Sequence, residues 1–90
     1  MIKRFHGIDR HKMSQTICVL NREGVEEKML SISGNLKEYI KTLGPEDAVV
    51  TETGIGCFHW ANIIEARGAQ CFIIDPYRFR IIKDSKELDR

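Results

Sequence analysis

Ala48-Val49-Val50-Thr51-Glu52 is the stretch that decides the fold. Four apolar or β-branched residues in succession, closed by an acid, read as a central strand covered on both faces. On both sides of it the hydrophobic period is 3.6. Upstream, Leu36, Tyr39, Ile40 and Leu43 fall at i, i+3, i+4 and i+7 and share one helix face. Ser33 or Asn35 can cap the start of that helix, while Gly44 and Pro45 supply a left-handed exit and a block to continuation. Downstream, Cys57, Trp60, Ala61 and Ile64 repeat the spacing with Gly68 just past the end, which makes Trp60 a core residue.

Working outward, Cys71-Phe72-Ile73-Ile74 reads as another buried strand. Asp75 and Pro76 then start a third helix, with Tyr77, Ile81 and Leu88 on one side. At the other end, Ile2 to Asp9, Ser14 to Asn21 and Val25 to Ile32 mix β-branched or aromatic residues with polar ones, as short strands do. Asn21-Arg22-Glu23-Gly24 is a hairpin turn whose glycine takes positive φ, so the second and third strands pair antiparallel. Right-handed crossovers set the fourth and fifth strands parallel beside the first. The expectation is a three-layer α/β domain with a mixed five-stranded sheet, three antiparallel strands followed by two parallel ones. No internal repeat or linker divides residues 1–90, so they form a single domain.

Composition fits that reading. The chain of 90 residues is 42% hydrophobic and 30% charged, as in ordinary globular proteins, and its apolar runs fall far short of the roughly 18 residues a membrane span needs. Met1 to His6 are followed by no apolar signal region, so the expected compartment is the cytoplasm. Cys18, Cys57 and Cys71 are an odd set with no CxxC pair and lie among apolar neighbours, as reduced core thiols do. Cys57-Phe58-His59 lacks the second ligand pair that a zinc site requires. A net charge of +1 does not announce a nucleic-acid binder, so any such role rests on how the charge is distributed.

In open α/β sheets function gathers beyond the carboxyl ends of the strands, and there the sequence sets Asp9 after the first strand and Glu52 after the fourth. If the strands are adjacent, the two carboxylates repel unless they share a cation. Mg²⁺ or Mn²⁺ suits such hard oxygen ligands. The plainer reading is that acids at strand ends are simply solvated.

The residues around these acids are more specific. Gly7-Ile8-Asp9-Arg10-His11-Lys12, Glu52-Thr53-Gly54 and Pro76-Tyr77-Arg78-Phe79-Arg80 stand in the right order on the right elements. With these motifs the whole chain resembles the N-terminal domain of DEDD insertion-sequence transposases, relatives of the Piv-type invertases, with a fold like that of the RuvC resolvase. The resemblance implies a ribonuclease H-like fold and metal-dependent DNA strand cleavage and transfer. It makes Asp9, Glu52 and Asp89 catalytic metal ligands, Asp9 bridging, with His11 near the metal but not bound to it. Asp89 lies in Glu87-Leu88-Asp89-Arg90, where the family has a lysine and a threonine ahead of its third acid; the fourth acid and a serine-bearing domain fall beyond residue 90, so a C-terminally truncated domain is expected. The partners implied are DNA, in some members a structured guide RNA, and further copies of the chain.

Arg10, Lys12, Arg78, Arg80 and Lys83 flank the acids and are candidates for phosphate contacts, with Tyr77 and Phe79 interleaved as stacking surfaces. Their plainer reading is a solvated helix face. Two rival functions stay open. One is a remnant that binds nucleic acid or dimerises without catalysis. The other is an actin-like or sugar-kinase-type ATP site, which also starts from a Gly-Ile-Asp strand but follows it with small residues rather than Arg10-His11-Lys12.

Overall fold

The computed structural model describes residues 1–11, 13–54 and 56–75. The order of elements is β1 (Arg4–Arg10), β2 (Ser14–Asn21), β3 (Glu26–Ser33), α1 (Lys37–Ile40), β4 (Asp47–Glu52), α2 (Cys57–Ala66) and β5 (Gln70–Ile74). The strands form one mixed sheet in the order β3-β2-β1-β4-β5. β1, β2 and β3 pair antiparallel, whereas β4 lies parallel to both β1 and β5.

The β2–β3 turn shows how local chemistry fixes the register. Asn21 Oδ1 accepts from the backbone N–H groups of Glu23 and Val25, both at 3.0 Å, while Gly24 takes φ +82°. This asparagine-built turn closes the hairpin where the sequence predicts it. One residue of β3 is then looped out, because Val19 pairs with Lys28 but Leu20 pairs with Glu26, a bulge that sharpens the twist of this edge strand.

From β1 to β4 and from β4 to β5 the chain steps the same way across the sheet, so right-handed crossovers put α1 and α2 on the same face. There Ile8, Ile17, Val19 and Val49 from the strands meet Leu36, Ile40 and Leu43 around α1 and Ile64 from α2 in one buried cluster. Trp60 packs against this cluster while half-buried.

Four expectations need correction. β5 is not a buried strand among the described residues: Phe72 is 51% exposed and Ile74 36%, alternating with half-buried Cys71 and Ile73. β4 is not covered on both faces by the described residues: Val49 is fully buried, but Val50 is half-buried. The helix through Leu36 and Leu43 is a single α-turn, although both leucines are buried as the periodicity predicts. The amides of Thr42 and Leu43 bond to the carbonyls of Tyr39 and Ile40, three residues back, so the chain tightens out of the α-helix. Gly44 does not make a left-handed exit. The positive-φ glycines are Gly24, Gly34, Gly56 and Gly68, and the last of these closes α2 as expected. The third helix expected from Pro76 lies outside the described residues. Among the described residues no helix is long and apolar enough to cross a membrane.

Candidate functional site

Strand alternation places the two acids. In β1, His6 and Ile8 point into the helix-covered core, so Gly7 and Asp9 face the opposite, open side. In β4, Val49 and Thr51 are buried on the core side, so Val50 and Glu52 face the same open side as Asp9. The parallel pairing of β1 and β4 runs to Ile8 opposite Thr51. Asp9 and Glu52 follow one residue further on. They are therefore neighbours at the carboxyl ends of adjacent central strands, about one strand spacing of ~4.8 Å apart.

Two hollows open beside this pair and share Glu52. One, of about 250 Å³, is lined by Arg10, His11, Glu52, Thr53 and Gly54. The other, of about 200 Å³, has Gly7 in its floor, with Asp9, Val50, Glu52 and Ile74 around it. A Cβ at Gly7 would come no closer than 3.9 Å to another group, the Cys18 carbonyl oxygen, so the strand itself does not require a glycine. The exit from β4 is held in place by Thr53, whose N–H donates to the Ile74 carbonyl at 2.9 Å. Gly56, at φ +79°, then turns the chain into α2.

The Asp9 side chain is 63% exposed, and His11 Nε2 lies 3.4 Å from its Oδ2. That distance is long for a hydrogen bond and leaves the carboxylate oxygens accessible. Among the described residues no three histidine, cysteine, aspartate or glutamate side chains converge as a ready-made metal cage. What converges is a carboxylate pair with a histidine beside it. Lys12, Arg78, Arg80, Lys83 and Asp89 lie outside the described residues; Arg10 lines the larger hollow beside Glu52.

No protein-family model matches the chain, and a search of curated proteins returns no match. The chemistry of the site therefore rests on its own geometry.

At the opposite end of β1 and β4 the structure reveals a polar network that the sequence reading missed. Asp47, 2% exposed, accepts from His6 Nε2 at 2.8 Å, Arg4 Nε at 2.9 Å and the Gly44 N–H at 2.9 Å. Burial alone pushes the Asp47 carboxyl up. The hydrogen bonds from His6, Arg4 and Gly44 outweigh burial and hold it below its ordinary value. The other His6 nitrogen, Nδ1, meets the Tyr39 hydroxyl. Burial, reinforced by the Asp47 charge, pushes the Tyr39 phenol up to about 12, so it stays protonated. His6 thus bridges Asp47 and Tyr39 through its two ring nitrogens. The only hint in the sequence is that His6 occupies an inward position two residues before Ile8; its partner lies 41 residues away.

The cysteines are free among the described residues. Burial, with Glu65 and Cys57 nearby, pushes the Cys71 thiol up, which makes it a poor nucleophile. His59 rests edge-on against Trp60, with ring centroids 5.4 Å apart.

Proposed function

We propose that this chain is the N-terminal, catalytic-type domain of a DNA transposase or site-specific recombinase of ribonuclease H-like fold. Asp9 and Glu52 hold Mg²⁺ or Mn²⁺ for DNA strand cleavage and transfer. The observation that carries the reading is the arrival of these two carboxylates side by side, on one open face, at the ends of adjacent parallel strands. The sheet supports it with the three antiparallel and two parallel strands that the resemblance implies.

The donor set fits a hard divalent ion. Asp9 and Glu52 offer accessible oxygens, and a shared cation relieves the repulsion between them. When bound, such an ion supplies Lewis acidity to an in-line displacement at phosphorus. The chain's own part is positional. The Thr53–Ile74 hydrogen bond holds the strand end that carries Glu52. Arg10 and His11 line the adjoining hollow, where a phosphodiester backbone would meet them. The reading needs only this pair; the further carboxylate that the resemblance implies, Asp89, would add to it.

Mn²⁺ tests the reading directly through paramagnetic broadening of amide signals. Residues 8–11 and 51–54 are expected to broaden first, and Asp9→Asn to remove the effect. Uniform broadening, or a first response elsewhere, rejects the metal pair and leaves the binding-only function. In a complete enzyme, Asp9→Ala is expected to abolish DNA cleavage while the fold survives.

A further inference from the structure

Gly7 sits in the central strand of the sheet, and nothing in that strand calls for a glycine. β1 pairs without interruption on both sides, Gly7 standing opposite Cys18 of β2 and Val50 of β4, so there is no bulge. Its φ is not positive, and an added Cβ would meet only the Cys18 carbonyl oxygen, at an ordinary contact distance of 3.9 Å. A glycine inside a strand weakens it. With bulge and left-handed backbone both excluded, its remaining use is to let another group approach the backbone closely. That approach comes from the open face, where Gly7 leaves a notch in the row Cys18, Gly7, Val50 and Phe72.

The notch is the floor of the hollow of about 200 Å³ that Val50 and Ile74 wall and that Asp9 and Glu52 border. Sites for drug-sized molecules run to about 300–1,000 Å³, so this one suits a single ring system. Exposed Phe72 stands across from Val50 on β5, and Phe5 lies two residues before Gly7 on the same face. An open apolar surface bearing aromatic rings is what the face of a nucleobase stacks upon.

We propose that the hollow over Gly7 binds the base of one unpaired nucleotide whose phosphate lies at Asp9 and Glu52. The proposal rests on the metal-pair reading and names the form of DNA that the site takes. Gly7 and Asp9 are two residues apart on one strand face, about 6.6 Å, which a single nucleotide spans from base to phosphate. The larger hollow, which shares Glu52 and carries Arg10 and His11, is left for the next phosphate along the strand. A base inside a duplex has both faces stacked on its neighbours, so the strand must be open at this position. The side chains of Val50 and Ile74 offer contact area and no hydrogen bonds to base edges, so all four bases are accepted.

The test uses the whole chain in MgCl₂ and follows backbone amide signals. Thymidine 5′-monophosphate is expected to shift Gly7, Val50 and Ile74 together with Arg10, His11 and Thr53. Deoxyribose 5-phosphate, which lacks the base, is expected to shift only the last three and to bind at least about fivefold more weakly, the low end of base stacking. Gly7→Val fills the notch and is expected to remove that difference while α2 amides stay in place; if the variant does not fold, the two ligands on the parent chain decide. A short single strand of DNA is expected to shift Gly7 and Val50, and the same strand annealed to its complement to leave them unmoved. Equal affinity for the two small phosphates overturns the proposal. So does a folded Gly7→Val protein that still favours the thymidine compound, or a duplex that shifts Gly7 as the single strand does. Base-dependent shifts at Gly7 without Mn²⁺ broadening of residues 8–11 and 51–54 reject the metal pair and keep the base site; broadening without those shifts does the reverse.

Discussion

Replacing Glu52 by glutamine reverses sign between metal-free and metal-containing buffer if the acid pair shares a cation. The side chains leave adjacent strand ends on one face, and that of Asp9 is 63% exposed, so their repulsion is screened nearly as in water. Two unit charges 4 Å apart in water interact by about 1 kcal/mol. The wider strand spacing and the His11 side chain 3.4 Å from Asp9 reduce this to roughly 0.5–1 kcal/mol. For a chain of this size each kcal/mol moves Tm by about 4–8 °C, so in EDTA Glu52→Gln is expected to melt about 2–8 °C above the parent. Mg²⁺ at 10 mM, acting on a two-carboxylate site with Kd on the order of 1 mM, adds RT ln 11, about 1.4 kcal/mol, to the parent. The parent then rises by about 6–11 °C while the variant stays where it was, and their order inverts. Thermal melts by circular dichroism in EDTA and in MgCl₂, matched in ionic strength with KCl, read both effects. An equal Mg²⁺ response in the two proteins, or a variant no more stable than the parent in EDTA, refutes the shared cation.

Two further outcomes follow from other parts of the fold. Asp47→Ala removes three hydrogen bonds and leaves the His6 Nε2–H buried without an acceptor, which is expected to cost about 3–5 kcal/mol in urea unfolding; Arg4→Ala, at a half-exposed partner, is expected to cost under about 1 kcal/mol. Because the folded Asp47 carboxyl lies below its ordinary value of 3.8, its contribution is present above that pH and disappears as the pH falls below it, so the gap between parent and Asp47→Ala should close in acid melts. Gly7→Ala has room in the described structure and removes a flexible residue from a strand, so a gain of about 0.5–1 kcal/mol is expected by thermal melting. A loss instead indicates that another part of the chain packs closely over Gly7.

How much could be read from the sequence depended on how local each determinant was. β2 was legible to the residue because Asn21 and Gly24 build its closing turn from neighbours. The two acids were legible because strand order and chain direction alone bring Asp9 and Glu52 together. Around Leu36 to Leu43 the apolar spacing read burial correctly and helix length incorrectly. Periodicity records which side chains face the core, whereas helix length depends on which carbonyl each amide finds, and there the amides of Thr42 and Leu43 turn early. The His6–Asp47 pair was illegible because its partners become neighbours only through the parallel register of β1 and β4.

The openness of the acid-bearing face links site and fold. Both crossovers step the same way, so both described helices must lie on the other side, and Asp9 and Glu52 stand in water. Carboxylates so exposed bind a divalent ion weakly, because water competes for each oxygen and the high dielectric weakens the attraction. A strongly binding, water-excluding centre therefore needs something laid across the sheet beside them. The apolar band through Phe5, Val50 and Phe72 needs a cover for its own reason, since exposed apolar surface of that extent costs stability. One cover meets both needs. Coverage of the face and tightening of the metal site should then rise and fall together: a ligand that covers Phe5 and Phe72 should enlarge the rise in Tm that Mg²⁺ produces, and an unchanged rise refutes the link.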